Sequence, residues 1–396
     1  MEKPSQDTLL PLPLLLLLSL ASITADTNIN TDRSSLLALK SHITPNPQNI
    51  LMKNWTSEAN VCTWVGVTCD SLYNRVTRLN ISSMGLVGTI PPEIGNLSFL
   101  ISLDISDNSF HGPIPSSIFD ISPLQVLLYG EIPLSLGQCS KLEYLSLYGN
   151  NFGGHVPTQI GNISLLQFLS FGDNKFSGNI PKEIGNLTML QTLDLGANNF
   201  SGNIPNEIGY LTNLLGLSMR VNEFSGPIPG TLYSMTSLLY FDFTLNNLTG
   251  SLSRDIRNMT SLRRLGLEEN SLTGKIPKEI GDLPDFERLS MCCNNITGLV
   301  PRELGNLTNM IGIYLGNNAL SGTIPIELGR LVNLWELQLK ENFLITGSIP
   351  KEIGNMTSLS YLLLYNNELS GSRYLIPDIN FPVSMHDTCF TAYTDN

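Results

Sequence analysis

Residues 178–201 read GNIPKEIGNLTMLQTLDLGANNFS, and the glycine that opens this stretch recurs at intervals of 24 residues along most of the chain. A fixed period in this range indicates a repeat architecture. The frame of one unit is L-x-x-L-x-L-x-x-N-x-L-x-G-x-I-P, and its alternating leucines predict a short strand with one buried face. Because each repeat can bury its apolar edge only against its neighbours, the frame predicts a stacked solenoid. The side chains expected to point inward in this unit are Leu190, Leu193, Leu195, Asn198 and Phe200.

An asparagine closes the strand part of nearly every repeat. A buried asparagine needs partners for its amide, and we expect it to bond to the backbone of its own turn and of the adjoining repeat. The glycine that follows turns the chain, and Ile-Pro then begins an extended segment in which proline's missing donor does little harm. The predicted asparagine ladder comprises Asn108, Asn150, Asn174, Asn198, Asn222, Asn246, Asn270, Asn294, Asn318, Asn342 and Asn367.

The charge balance of the chain limits its expected partners. The 396 residues carry a net charge of −12 without a compensating basic run, which argues against nucleic acid and against an anionic membrane surface. Charged residues make up 14% and hydrophobic residues 42% of the chain, so we expect a folded protein with a sizeable core.

Residues 1–25 are predicted to be a secretory signal peptide. Lys3 precedes the apolar block LLPLPLLLLLSLA, and the small residues there suit cleavage after Ala21 or Ala25. No other apolar stretch is long enough to span a bilayer, so we expect the processed chain to be extracellular and without a membrane span. Sugars are expected at several of the Asn-x-Ser/Thr sequons, which are Asn54, Asn80, Asn96, Asn162, Asn186, Asn199, Asn247, Asn258, Asn295, Asn306 and Asn355.

A different module is predicted at residues 26–74, ahead of the repeats. The segment TDRSSLLALKSHI indicates a short helix, with Thr31 or Asp32 as its expected N-cap. In the following segment NWTSEANVCTWVGVTCD, we expect Cys62 and Cys69 to form a disulfide, because the compartment is oxidising. This module would cover the exposed core of the first repeat, as the end of a solenoid requires.

The cap pattern LLALKSHI…W…C-x-W-x-G-V-x-C and the repeat element G-x-IP-x-x-IGNL-x-x-L together resemble the extracellular domain of plant leucine-rich-repeat receptor-like serine/threonine kinases. Within that family the chain is most similar to the branch that senses microbial patterns, over residues 31–371. The resemblance implies a leucine-rich-repeat solenoid of the α/β repeat class, a right-handed superhelix with a parallel β-sheet on its concave face and short 3-10 or irregular convex segments. It also implies a peptide or protein ligand and a co-receptor ectodomain as partners.

The chain departs from the regular frame at two places. About thirteen repeats are predicted over residues 75–371, but the third, residues 112–130, lacks six residues, including its second strand leucine and its asparagine. We expect a defective rung there, with fast amide exchange at residues 124–130. Residues 372–396 leave the frame, and no C-terminal cap with its cysteine pair is recognisable.

No catalytic or metal chemistry is expected of this chain. It lacks the Gly-rich loop, the HRD and the DFG motifs of a kinase, which the parent family carries downstream. Cys292 and Cys293 are adjacent and are expected to remain free thiols, because neighbouring cysteines rarely pair. The four histidines lie far from any cysteine pair, so neither a zinc site nor a cofactor is predicted.

The ligand-binding surface is predicted on the concave face, where equivalent positions of successive repeats form columns. Charged and aromatic residues concentrate in repeats seven to ten, whereas the earlier repeats are rich in serine and aspartate. Arg264 and Arg288 occupy the same column one repeat apart and could hold one carboxylate. An alternative interpretation is a solvated face whose charges neutralise one another. The candidate residues are Arg220, Tyr240, Asp242, Arg264, Glu268, Arg288, Tyr314 and Trp335.

The leading functional hypothesis is an extracellular recognition module for a peptide or protein, acting as the sensor part of a receptor-like kinase in defence signalling. Such a chain would lie in the apoplast, and its parent receptor type at the outer face of the plasma membrane. A secreted inhibitor of microbial cell-wall-degrading enzymes is a second hypothesis. A third is a soluble decoy or scaffold that captures ligand without signalling.

Overall fold

The computed structural model describes residues 28–45, 50–112, 115–121, 126–127 and 142–370. The predicted signal peptide, residues 113–114, 122–125 and 128–130 of the short third repeat, and residues 372–396 lie outside these ranges. No helix within the described residues is long and apolar enough to cross a membrane.

A fourteen-stranded sheet runs the length of the described solenoid. Its first two strands pair antiparallel and all later pairs are parallel, one rung to the next. The central leucines of the strands from Val76–Asn80 to Glu336–Gln338 whose side chains are described are buried, as the frame predicted, whereas Leu362 and Leu363 of the last strand are half-buried. In chain order the strands are Val67–Cys69, Val76–Asn80, Ser102–Asp104, Val126–Leu127, Tyr144–Ser146, Phe168–Ser170, Thr192–Asp194, Gly216–Ser218, Tyr240–Asp242, Arg264–Gly266, Arg288–Ser290, Gly312–Tyr314, Glu336–Gln338 and Tyr361–Leu363.

Shorter parallel strands follow the turn of each rung and form a second row of small sheets. They are Val87–Gly88, Ser109–Phe110, Gly153–Gly154, Lys175–Gly178, Asn199–Asn203, Glu223–Pro227, Asn247–Thr249, Thr297–Leu299, Ala319–Thr323, Leu344–Gly347 and Glu368–Leu369.

Short 3-10 helices close the opposite, convex side of the rungs. Most begin directly after the proline of the Ile-Pro element, whose fixed φ suits a helix entry. Their bounds are Pro92–Asn96, Ser116–Asp120, Thr158–Asn162, Lys182–Asn186, Asn206–Tyr210, Gly230–Ser234, Arg254–Asn258, Lys278–Asp282, Arg302–Asn306, Ile326–Arg330 and Lys351–Asn355. The leucine-rich-repeat solenoid expected from the sequence is therefore confirmed.

The asparagine ladder forms as predicted. In one rung, Nδ2 of Asn198 donates to the carbonyl oxygens of Phe171, Leu195 and Gly196 at 2.8, 3.3 and 3.0 Å. Its Oδ1 accepts from the backbone N–H of Phe176 at 2.9 Å. One side chain thus satisfies backbone groups of its own turn and of the preceding rung.

Two further periodic features stabilise the rungs. The residue before the ladder asparagine adopts a left-handed conformation, with φ of 50° at Ala197 and 54° at Val221. The phenylalanines two positions after the ladder asparagine stack along the core. The ring centroids of Phe176, Phe200 and Phe224 are spaced 6.1 Å apart. The inward position predicted for Phe200 is confirmed by its complete burial.

The N-terminal module packs onto the first rung through helices Ile29–His42 and Ile50–Asn54 and the 3-10 turn Val61–Thr63. The N-cap of the first helix is Asn28, so the prediction of Thr31 or Asp32 was wrong. Asp32 instead points inward and forms a buried ion pair of 2.7 Å with Arg75, at the start of the repeats. A charged residue early in a helix can therefore serve the core rather than the cap.

The predicted disulfide between Cys62 and Cys69 is present, with the two Cα atoms 5.5 Å apart. Beside it, Trp55 and Trp64 stack with ring centroids 5.4 Å apart, and both side chains are buried. The disulfide and the stacked rings together brace the cap over the first rungs.

The third rung contributes a strand but the turn ladder passes over it. Val126 pairs with Ser102 on one side and Tyr144 on the other, so the strand belongs to the large sheet. In the turns, however, Phe110 donates its N–H to Oδ1 of Asn150 at 3.3 Å, across 40 residues of sequence. The turn of the second rung therefore stacks directly on that of the fourth.

Candidate functional site

The arginines of the predicted site lie side by side on adjacent strands, with Arg264 in register with Arg288. Their side chains lean in opposite directions along the sheet. The guanidinium of Arg264 lies 5.5 Å from the ring centroid of Tyr240, and that of Arg288 lies 5.5 Å from the ring of Tyr314. Each guanidinium therefore lies over its own aromatic ring at a distance suited to a cation–π contact.

A carboxylate partly balances these charges. Oε1 of Glu287 accepts from Arg263 at 3.1 Å, and its Oε2 lies 3.9 Å from Nε of Arg264. The Arg264 side chain is 51% exposed, so this pair is screened by water and weak. An anionic ligand could therefore compete for Arg264 at little cost.

Glu268 sits half-buried beside the two arginine-bearing strands. Burial raises the pKa of its carboxyl, a hydrogen bond from the Ser290 side chain opposes that shift, and Asp242 adds to it. The charge of Arg288 lowers the pKa, and that of Glu269 raises it. The sequence-predicted residues Asp242, Glu268 and Arg288 are thus close enough to act on one another electrostatically.

Tyr314 was predicted to be an exposed aromatic residue of the binding surface. In the structure it is buried, with only 4% of the residue exposed. Its ring folds back over Gly312, where a Cβ atom would lie 2.6 Å from Cε2 of the ring. Its hydroxyl donates to Oε2 of Glu336 at 3.0 Å. The missing side chain at Gly312 therefore lets this ring lie flat on the sheet.

The remaining predicted residues are accessible. Tyr240 is 44% exposed and Trp335 is 43% exposed, with the Trp335 ring edge-on to Tyr361 at 4.7 Å. Arg220 is exposed, and Asp242 is half-buried with its Oδ1 accepting from the N–H of Thr244. Trp335 lies beyond the Tyr314 strand, so the eight residues form a band along the sheet rather than one pocket.

A cavity of about 460 Å³ lies elsewhere on the concave face, in the early repeats that are rich in serine and aspartate. The rings of Tyr144 and Phe168 stack within it, with centroids 4.2 Å apart and planes 5° apart. Burial, together with the charge of Asp104, raises the pKa of the Tyr144 hydroxyl. The cavity is lined by Asn80, Ser102, Asp104, Ser106, Tyr144, Ser146, Tyr148, Phe168, Ser170 and Asp194.

The sequence contains a pattern that could have indicated this cavity, although the prediction of the ligand-binding surface did not include it. Tyr144 and Phe168 occupy one column of the concave face, and the neighbouring column carries serine and aspartate. Both columns pass through the rungs next to the six missing residues. The turn ladder skips the third rung: the carbonyl oxygen of Tyr148 accepts from the N–H of Asp107, and the turns of the second and fourth rungs are neighbours. The deletion therefore helps to assemble the cavity.

The cysteines and the sequons were also predicted from sequence. Sγ of Cys292 and Sγ of Cys293 lie 3.6 Å apart, and neither is in a disulfide. The described residues contain no group of three or more histidine, cysteine or acidic side chains arranged to hold a metal ion. All sequon asparagines are exposed except Asn54, which is half-buried with its Oδ1 accepting from Val65 at 2.6 Å.

Comparison with protein families places both modules. Residues 29–70 match the leucine-rich-repeat N-terminal domain. The Leucine Rich Repeat model matches residues 99–121, 141–163, 165–187, 189–211, 261–283 and 285–307.

Curated relatives are plant receptor kinases. The chain is 40% identical over 95 residues to the LRR receptor-like serine/threonine-protein kinase EFR of Arabidopsis thaliana, covering 24% of this chain and 9% of that protein. It is 37% identical over 121 residues to the kinase GSO2 of the same organism, covering 28% and 10%. The matched part of this chain thus spans about a tenth of the length of these relatives.

Solved structures show the same architecture. The plant peptide hormone receptor RGFR1 in complex with RGF2 is 37% identical with a TM-score of 0.68, over 71% of this chain and 46% of that one. The Arabidopsis receptor kinase HAESA, in complex with the peptide hormone IDA and the co-receptor SERK1, is 28% identical with a TM-score of 0.50, over 88% and 75%.

A leucine-rich-repeat protein of Leptospira interrogans is 30% identical with a TM-score of 0.50, over 74% of this chain and 84% of that one. The repeat frame, the N-terminal module and these likenesses agree with one another. The chain belongs to the leucine-rich-repeat proteins and is homologous to the extracellular domains of plant leucine-rich-repeat receptor-like kinases.

Proposed function

We propose that this chain is an extracellular recognition module that binds a peptide or protein ligand, and that it is the sensor part of a plant receptor-like kinase in defence signalling. The observation that carries the proposal is the band around Arg264 and Arg288. Arg264 and Arg288 lie on adjacent strands and each guanidinium lies over a tyrosine ring, so each suits an anionic group of a peptide ligand, such as a side-chain carboxylate or the C-terminus. Arginine and tyrosine are among the residues that supply most interface hot spots.

The relatives support the same class of ligand. RGFR1 and HAESA are described with the peptide hormones RGF2 and IDA, and HAESA also with the co-receptor SERK1. We extend this to a peptide ligand and a co-receptor ectodomain for the present chain. The proposal includes entry into the secretory pathway through residues 1–25 and sugars on the exposed sequons other than Asn80, whose amide bonds to Asp104 on the concave face. It also keeps the division into a cap at 26–74 and repeats at 75–371.

The test is capture of peptides by the immobilised full chain. A library with free C-terminal carboxylates is compared with the same peptides carrying C-terminal amides. We expect the double variant Arg264→Glu and Arg288→Glu to lose at least about tenfold in affinity for the carboxylate series, because two attractive charges become repulsive. The matched control is Arg254→Glu with Arg257→Glu, which makes the same charge change on an exposed convex 3-10 helix.

Unchanged binding by the Arg264 and Arg288 variant would place the peptide site elsewhere on the surface. Equal loss in the convex control would show that net charge, rather than the band, governs capture. Slowing of purified microbial wall hydrolases by the chain, without any peptide capture, would favour the inhibitor hypothesis. The same capture assay is repeated with a co-receptor ectodomain in solution. Peptide-dependent binding of that ectodomain would favour a signalling module, and peptide capture without it would favour a decoy.

A further inference from the structure

The concave cavity of about 460 Å³ has the size of a ligand pocket, and side chains from successive rungs line it. Asp104 and Ser106 close it on the side of the cap, Tyr144 and Tyr148 lie in the middle, and Asp194 closes the far side. None of these residues belongs to the arginine band. The cavity is therefore a second, separate candidate site on the same face.

The cavity is acidic, and its charges are hydrogen-bonded without being neutralised. Oδ1 of Asp104 accepts from Ser106 at 2.7 Å, and its Oδ2 accepts from Nδ2 of Asn80 at 3.2 Å. Oδ2 of Asp194 accepts from the Ser170 hydroxyl at 2.9 Å. Over the described ranges neither carboxylate forms an ion pair, and no lysine or arginine lines the cavity.

The aromatic part of the lining suits a planar cation. Tyr144 stacks on Phe168 and remains 36% exposed, so one side of this stack faces the cavity. Aromatic faces attract guanidinium groups, and the chain itself uses this contact where Arg75 lies 4.6 Å from the centre of Phe99. An aromatic stack between two carboxylates thus offers both attractions that a guanidinium needs.

We propose that this cavity binds an arginine side chain of a basic peptide segment. The inference deepens the proposed function and rests on it, since it assigns a positively charged part to the peptide ligand. A neutral saccharide would use the aromatic stack and the hydroxyls but would gain nothing from the charge of Asp104 and Asp194. Four strand intervals separate the strands of Asp104 and Asp194, which puts the two carboxylates roughly 19 Å apart. Two arginine side chains of one short extended peptide, pointing away from each other, can therefore reach both.

The experiment measures binding of acetyl-triarginine amide to the full chain by calorimetry, with the tricitrulline analogue as the uncharged probe. The test variant is Asp104→Ser with Asp194→Ser, because serine already fills this column at Ser146 and Ser170. Serine also avoids the sequon that asparagine at position 104 would create with Ser106. The control is Asp282→Ser with Asp285→Ser, an equal charge change at exposed positions on the convex side.

We expect triarginine to bind, tricitrulline not to bind, and the cavity variant to lose at least about tenfold in affinity while the convex control changes less than about twofold. Tyr144→Leu should weaken triarginine several-fold through the lost ring. Equal loss in both aspartate variants would overturn the proposal, since it would show that net charge alone attracts the probe.

Binding of cellotetraose that Tyr144→Leu abolishes, without binding of triarginine, would replace the proposal with a saccharide site. A chain that captures carboxylate peptides through Arg264 and Arg288 but ignores triarginine would keep the proposed function and lose only this cavity. The two proposals can therefore fail separately.

Discussion

The regular run of repeats that follows Asn150 and the interrupted stretch from Asp104 to Asn150 share one frame but join their rungs differently. In the regular run, Asn246 accepts from the N–H of Phe224, 22 residues earlier. Across the interruption, Asn150 accepts from the N–H of Phe110, 40 residues earlier. The sheet can thus include a strand that the turn ladder omits, because strands and turns are held by separate sets of hydrogen bonds.

The same comparison separates the two candidate sites. The regular run carries the arginine band, in which Arg220, Arg264 and Arg288 follow a continuous series of strands. The interrupted stretch carries part of the acidic cavity, where the second rung meets the fourth. A change in rung stacking therefore accompanies a change from a surface with arginine side chains to a cavity lined by aspartates.

The largest expected effect tests whether the interruption divides the molecule. Arg75→Ala leaves Asp32 buried without its partner, in an ion pair whose side chains are only 5% and 1% exposed. We expect a loss of about 3–5 kcal/mol in the free energy of unfolding of the cap side. Hydrogen exchange read by mass spectrometry should show the loss before residue 112 and little change after residue 142, because solenoid rungs stabilise their nearest neighbours.

Equal loss of protection over residues 142–370 would show that the two sides unfold as one unit. The control is Arg302→Ala, whose exposed pair with Glu303 should contribute less than about 0.5 kcal/mol.

The next effect concerns the ladder itself. Asn246→Ala removes three donated bonds and leaves the buried N–H of Phe224 without its acceptor, so we expect a loss of about 2–3 kcal/mol by urea unfolding. Asn150→Ala should release the amide of Phe110, 40 residues away, in hydrogen exchange. Continued protection of Phe110 would contradict the skipped rung. Asn213→Ala, at an exposed side chain with one bond to Thr188, is the control.

A smaller effect is expected at Glu268 in the regular run. Because burial raises the pKa of this carboxyl above 4.5, its contribution to stability is present below pH 4.5 and is lost as the pH rises through the folded-state pKa. We therefore expect Glu268→Gln to be more stable than the parent at pH 7, with the difference closing below pH 4.5. Urea midpoints across this range measure it, and exposed Glu223→Gln should show no such trend.

The smallest effect has the opposite sign and lies in the cap region. Backbone N–H groups of Arg75, Tyr73 and Leu72 donate to Asp70 and lower the pKa of its carboxyl below 3.8. Its contribution is therefore present above pH 3.8 and is lost as the pH falls through the folded-state pKa. Asp70→Asn should flatten the acid limb of the unfolding profile. An unchanged acid limb would contradict this role.

Much of the fold could be predicted because every repeat has the same pattern of buried residues and packs on its neighbours in the same way. The period, the inward leucines, the asparagine ladder and the Cys62–Cys69 disulfide all follow from local pattern and compartment. The helix cap at Asn28 could not be predicted from position alone. Asp32 is drawn inward by Arg75, a residue 43 positions away that the local pattern does not reveal.

The candidate sites were predictable only in part. The column position of Tyr314 indicated an exposed ring, but the room above Gly312 lets the ring fold flat and become buried. The acidic cavity was missed because it depends on which rungs become neighbours after six residues are lost. Side-chain direction and rung adjacency are both tertiary properties.

The sequence by itself determined the solenoid, the order of its rungs and the residues that face its concave surface. Strict periodicity suffices for this, because each rung repeats the same local contacts with its neighbour. Only the tertiary structure decided that Asn150 takes the place of a missing ladder position and that Asp104 and Tyr144 share one cavity. Those outcomes depend on how interrupted rungs restack, since hydrogen bonds there join residues that the period does not relate.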